Sequence, residues 1–323
     1  MVRQSPDWTG LEYPKPGSRM GSAFEQGDGR GLALRITRAF MAGAFDLSRR
    51  SSPPSPGWDG MPEVLVTQRL RAAGTGDAEI RLFITFTAAM DRARDADRLW
   101  NASARLFQDR HWPYLPEEVV RQSTERLMAD LRSYGVSQRH TVDAGGWHKI
   151  AQSLGNPRLS GSVRAAIYDG KGDAKDLLKT LRAVDAGDPR FPLLRGPKIG
   201  VMWVRMLAYP GGACISSLGE LDVAVDVQVR KVSEYLGVTR TRGQDLERVR
   251  TLIQRVWAED VRRHGAEGPG PLANTPAAVD PALWFYGKWG CTKCEQARRK
   301  IPISDICREC RFDELHDVNR VGG

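Results

Sequence analysis

The chain has 323 residues, 41% of them hydrophobic, with a formal net charge of +9 and a pI of about 9.5. That length allows two domains, or one with an appendage, and the apolar fraction is enough for a core. The positive charge suits a polyanionic partner. No apolar run reaches the roughly 18 residues that would suggest a membrane span. The opening stretch MVRQSPDWTGLEYPKPGSRMG has no apolar signal core, so a cytoplasmic protein with no membrane partner is predicted.

Residues 1–30 are rich in Gly, Pro and polar groups and read as extended or poorly ordered. Helical spacing of apolar residues follows over Leu32–Phe45, Met61–Ala72 and Ile80–Ala89, and a further helix is predicted over Asp91–Phe107. Pro116 opens the next helix with Glu117 and Glu118 in its first turn, and Gly135 ends it. Trp147–Leu154, Lys175–Val184 and Leu246–His264 read as further helices, with a break at Gly155–Gly161. Long stretches with period two are missing, so the fold class is all-α. Gly265–Pro281 reads as a Pro/Gly/Ala linker leading to a separate C-terminal module.

That module holds four of the five cysteines. Cys291-x2-Cys294 and Cys307-x2-Cys310 are separated by twelve residues, the pattern of two knuckles around one tetrahedral zinc ion. A rubredoxin-like iron site or a cluster is the alternative. Lys288, Lys293, Arg298, Arg299, Lys300 and Arg308 accompany the cysteines, after Trp284, Phe285, Tyr286 and Trp289. Basic and aromatic residues together suit phosphate contact, while the aromatics equally suit packing onto the helical body. Cys214 lies outside the set and reads as a buried small apolar residue.

The most informative stretch is Phe191–Gly237. An Arg195-Gly196-Pro197 turn presents Lys198 at the head of the apolar run Ile199–Leu207. After a Gly-rich loop comes Val223-Ala224-Val225-Asp226-Val227-Gln228-Val229, in which Asp226 stands alone among small apolar residues. A lysine at a helix start and a carboxylate in an apolar setting suit nucleophile and proton chemistry. Read from residue types alone, Lys198 is equally a solvated side chain and Asp226 an N-cap.

The stretch resembles the helix-hairpin-helix DNA glycosylases, the superfamily of endonuclease III and 8-oxoguanine DNA glycosylase, in which a Gly-rich hairpin ends in a catalytic lysine and a Val-Asp motif follows one helix later. Gly196, Lys198 and Val225-Asp226-Val227-Gln228-Val229-Arg230 take those places. Leu194 stands where the first hairpin glycine is usual, Gln228 where histidine is usual, and the Lys198-to-Asp226 spacing of 28 is long for the family. The resemblance implies two helical subdomains with a DNA cleft between them. Mapped here, 76–200 is a helical barrel ending in the hairpin and 31–75 with 201–265 is the second cluster. A linker over 266–283 and the zinc module over 284–323 follow.

It also implies an activity: excision of a damaged or modified base from double-stranded DNA, followed by AP lyase cleavage. Lys198, with its pKa lowered in a dry pocket, attacks C1′ and forms a Schiff base, and β-elimination cuts the strand. Asp226 stabilises the sugar cation or takes a proton from Lys198. Backbone N–H groups near Gly196 and Gly200 grip a phosphate, and Arg195, Gln228, Arg230 and Arg92 are the further DNA contacts. A flipped base needs a wedge. Arg92 or Met90 in Ala88–Arg94 fits that role, with helix-surface charge as the alternative for Arg92, and Asp143, Trp147 and His148 are candidates to line the base pocket. A monomer is expected, nucleoid-associated if bacterial. Two alternatives remain open: a monofunctional glycosylase in which Asp226 activates water, and a non-catalytic DNA-binding protein on the same scaffold.

Overall fold

The structure is a computed structural model that describes residues 31–42, 57–185, 187–236, 238 and 245–291. The described residues are mostly helical. In chain order the helices are α1 (Leu32–Met41), α2 (Pro62–Ala72), α3 (Asp77–Ala89), α4 (Ala96–Arg110), α5 (Pro116–Val119), α6 (Thr124–Ser133) and α7 (His140–Gly155). After them come α8 (Pro157–Tyr168), α9 (Ala174–Arg182), α10 (Ile199–Ala208), α11 (Val227–Tyr235), α12 (Leu246–His264) and α13 (Val279–Phe285), which continues as a π-helical turn over Tyr286–Cys291. Among the described residues no helix is long and apolar enough to cross a membrane.

Side-chain caps set six of these helix starts. Asp95, Ser123, Asn156, Asp173, Asp226 and Asp245 each accept a backbone N–H from the first turn of the helix that follows, which satisfies donors that a helix leaves without intrahelical partners. Two short strand pairs staple the connections. β1 (Lys171–Asp173) lies parallel to β4 (Cys214–Ser216), with Gly172 opposite Ile215, and β2 (Val184–Asp185) pairs antiparallel with β3 (Asp188–Pro189).

Differences from the sequence reading have local causes. The expected helix over Asp91–Phe107 starts only at Ala96, because residues 90–95 form a loop and Asp95 caps α4. The helix opened by Pro116 divides into α5 and α6, since Ser123 starts a new cap. The expected break at Gly155–Gly161 is a single extended residue, Asn156, between α7 and α8, with a further irregularity at Gly161, φ +45°, inside α8. Cys214 is exposed rather than buried, because it alternates along β4 with the inward Ile215. Gly265–Pro281 is not a linker. Leu272, Ala277, Ala278, Val279 and Ala282 are buried, and α13 packs on α1 and α11.

Large aromatic side chains fill two parts of the core. Phe83, Phe86, Phe107, Tyr114 and Trp147 form one set, with Trp147 stacked on Phe86 at 4.8 Å between centroids. Phe40, Trp58, Tyr209 and Phe285 form the other, across α1, α13 and the end of α10. The buried carboxylate of Asp260 on α12 accepts from the backbone N–H of Gly31 and Ala33 at 2.7 and 2.6 Å, and so ties α1 to the C-terminal half. Helix α10 packs along α3 and α9 and carries Lys198 at its head.

Candidate active site

Lys198 is the residue before α10. The start of that helix is held rigidly. Gly200 donates its N–H to Gly196 O at 2.9 Å, and a Cβ on Gly200 would fall 2.9 Å from Leu194 O. The hairpin backbone therefore packs directly on the helix at Gly200, and Leu194 is fully buried beneath it. This corrects one expectation: the N–H of Gly200 is engaged within the turn and is not a phosphate donor. Gly196 is half-buried at the cleft, with open space where a side chain would begin.

Asp226 is the N-cap of α11. One carboxylate oxygen accepts from Gln228 N at 2.8 Å and Val229 N at 2.9 Å. Burial pushes its carboxyl above the usual range and the Asp91 carboxylate pushes the same way. Lys198 and the two capping N–H groups oppose them. Capping and participation in the site are thus not alternatives.

Lys198 and Asp226 line one cleft of about 820 Å³. Its walls are the α3–α4 loop, the Pro192–Ile199 turn, the start of α11, and Trp284 with Lys288. Lys198 Nζ stands 3.9 Å from Asp91 Oδ2. Arg92 and Arg195 are exposed on the rim, and Arg92 belongs to a loop rather than a helix surface. Gln228 also faces the cleft. Its Oε1 is buried with no hydrogen-bond partner, and a Cβ on Gly287 would sit 2.8 Å from Gln228 Cβ. Val227, next to Asp226, is 62% exposed. Arg230 is half-buried on α11 and does not line the cleft, and Met90 is buried.

The expected pocket residues lie elsewhere. Trp147 is fully buried and donates its indole N–H to Pro113 O at 2.7 Å. Asp143 caps the start of α7, accepting from Gln138 N and Arg139 N at 2.9 Å. His148 is half-buried on the same helix, and none of the three lines the cleft. Their periodic and Gly-rich setting marks a helix start, not a binding turn.

Four residues of the site went unassigned in the sequence reading, Glu63, Asp91, Arg205 and Asp280, and Trp284, read there with the cysteine module, also borders it. Arg205 carries the clearest signal, because an arginine inside the apolar run Ile199–Leu207 requires buried partners. It has them in Glu63, at 2.9 Å, and Asp280, at 3.4 Å. Lys288, counted with the basic residues of the cysteine module, is paired with Asp97 at 2.6 Å and lies 4.8 Å over the Trp284 ring. Cys291 ends the described chain. Cys294, Cys307, Cys310 and the other basic residues of the module lie outside the described residues, and among those described no cluster suited to a metal ion is found. Compared with known proteins, the chain matches no family model, no curated protein and no solved structure.

Proposed function

We propose that the protein is a DNA N-glycosylase with AP lyase activity on a helix-hairpin-helix scaffold. The observation that carries this reading is that Lys198 and Asp226, far apart in sequence, face one cleft whose rim bears Arg92 and Arg195. The cleft is large enough for a flipped nucleotide, and its walls combine apolar surface at Val227, Leu193 and Trp284 with polar atoms at Gln228. Phosphates on the rim meet guanidinium groups, and the base enters beside the lysine.

In the reaction the neutral amine of Lys198 attacks C1′ and the C1′–N bond to the base breaks. Nζ then sheds a proton, the C1′–O4′ bond opens with O4′ gaining a proton to leave a Schiff base, and loss of a C2′ proton expels the 3′ phosphate by β-elimination. Asp226 and Asp91 are the carboxylates placed to take that proton or to stabilise the sugar cation. A second reading is favoured by one contact, the ion pair that engages Lys198 Nζ with Asp91. In that reading Asp226 activates water and no covalent intermediate forms.

Borohydride trapping on duplex DNA with an abasic site separates the two. A covalent adduct in the wild type that is lost in Lys198→Ala supports the lyase. Release of a base from a lesion panel with no adduct supports the water-activating enzyme. Neither adduct nor base release, with salt-sensitive DNA binding retained, leaves a binding protein. The cysteine spacing supports one structural zinc ion held by Cys291, Cys294, Cys307 and Cys310. Metal analysis is expected to give about one zinc per chain, and iron with sulfide would overturn it.

A further inference from the structure

Beneath the Lys198/Asp226 pair lies a small chamber of about 30 Å³ that the reaction just described does not use. Six charged residues line it: Glu63, Asp91, Lys198, Arg205, Asp226 and Asp280. Arg205 is 2% exposed. Its Nη2 donates to Glu63 Oε1 at 2.9 Å, and its Nε is 3.4 Å from Asp280 Oδ2 without hydrogen-bond alignment. Both Nε and Nη1 are buried with no hydrogen-bond partner. Buried donors of a charged group call for an acceptor. The chamber is of a size to seat one water, which needs about 10–15 Å³ of such space and two to four polar partners. Arg205, Asp280, Asp226 and Lys198 supply them.

Four carboxylates therefore face one chamber, among them Asp226 from the start of α11 and Asp280 from the first turn of α13. Burial pushes Asp280 up to about 7. Arg205 and Lys198 oppose that, and the carboxylates of Asp226 and Glu63 reinforce it. Asp226 is raised as well, with Asp91 contributing. Like charges around one low-dielectric space disfavour ionising both carboxylates together.

We propose that Asp280 is a positioning residue that shares one proton with Asp226 across this chamber, through a water held by the Arg205 guanidinium. The proposal rests on the glycosylase reading for its chemistry. As the Lys198 Nζ lone pair forms the bond to C1′, the C1′–N bond breaks and its electron pair leaves with the base. The proton that Nζ sheds passes to the carboxylate pair, and the departing base nitrogen gains a proton from the same pair. The pair ends the step as it began. Asp280 never touches the substrate; it sets how readily Asp226 gives and takes the proton.

The test is a titration of the full-length protein labelled with ¹³C at aspartate carboxyls, for wild type, Asp280→Asn and Asp226→Asn. The Asp280 carboxyl is expected to titrate near 7 in the wild type. In Asp226→Asn, the Asp280 carboxyl is expected to titrate lower, because the neighbouring carboxylate that helps to raise it is gone. An Asp280 carboxyl that titrates unchanged in Asp226→Asn would overturn the proposal. If Asp280→Asn does not fold, the Asp226→Asn arm decides, because asparagine retains the cap. The second readout is the pH profile of borohydride adduct formation, whose acid limb is expected to move to lower pH in Asp280→Asn. An unmoved limb overturns the catalytic part. If the wild type gives no adduct, the lyase reading falls, and the titration still decides whether the two carboxylates share a proton.

Discussion

Asp173 and Asp226 occupy the same local position and behave oppositely. Each is the N-cap of a helix, α9 or α11, and each accepts two backbone N–H groups from the first turn. Asp173 also accepts from the hydroxyls of Ser216, at the end of β4, and Ser217, just beyond it, with Ser217 contributing most, and its carboxyl is held down at about 2. Asp226 has the same backbone donors, but burial and the neighbouring Asp91 outweigh them and raise it. The cap is written in the local sequence, whereas the ionisation is written by what the tertiary fold brings against the carboxylate.

The sharpest way to break that comparison is to replace both with asparagine. Asparagine caps as well as aspartate, so neither variant is expected to lose its helix. Asp226→Asn should lower the rate of borohydride adduct formation by about 100-fold or more, with a melting temperature close to wild type. Asp173→Asn should leave the adduct rate unchanged. Equal rates in the two variants would reduce Asp226 to a cap and sink its chemical role.

The same contrast explains what was legible beforehand. Periodicity and caps placed α2, α9, α10 and α12 to within a few residues, because each has an apolar stripe and a Pro, Asp or Lys marking its start. Lys198 and Asp226 were legible as a pair because each interrupts an apolar stretch. Asp91 and Asp280 were not. Asp91 sits among charged loop residues that look solvated, and Asp280 sits in a run of Pro and Ala that reads as a linker. Both acquire their meaning from α10, which passes beneath them carrying Arg205. A run rich in Pro and Gly signals a loop only when nothing covers it. Here α1 and α11 cover α13, and tertiary packing overrides composition.

Two glycines sharpen the comparison within the hairpin. Gly196→Ala meets open space, so stability should be retained, or raised by about 0.5 kcal/mol through a less flexible unfolded chain. Gly200→Ala drives a methyl group against the Leu194 carbonyl and should cost about 1–3 kcal/mol in denaturant melts. Gly196 borders the cleft, so its variant should nonetheless bind abasic duplex more weakly in a titration at fixed salt. If Gly200→Ala melts like wild type, the close approach of hairpin and helix is not what positions Lys198.

The smallest expected effect is on stability against pH, and it carries opposite signs at Asp173 and Asp280. Asp173 is held below its ordinary value of 3.8, so its contribution is present above 3.8 and is lost as pH falls through about 2. Asp280 is held above 3.8, so the folded protein keeps a proton that the unfolded chain has released. Its contribution is therefore lost as pH climbs from 3.8 toward about 7. The melting temperature of wild type relative to Asp280→Asn should thus fall across that window. Relative to Asp173→Asn it should rise between about 2 and 3.8, by less, because Asp173 is solvent-screened. Calorimetric melts at closely spaced pH values measure both slopes. Parallel curves for wild type and Asp280→Asn would mean that Arg205 neutralises Asp280 fully in the fold, and the chamber would then hold a fixed ion pair rather than a mobile proton.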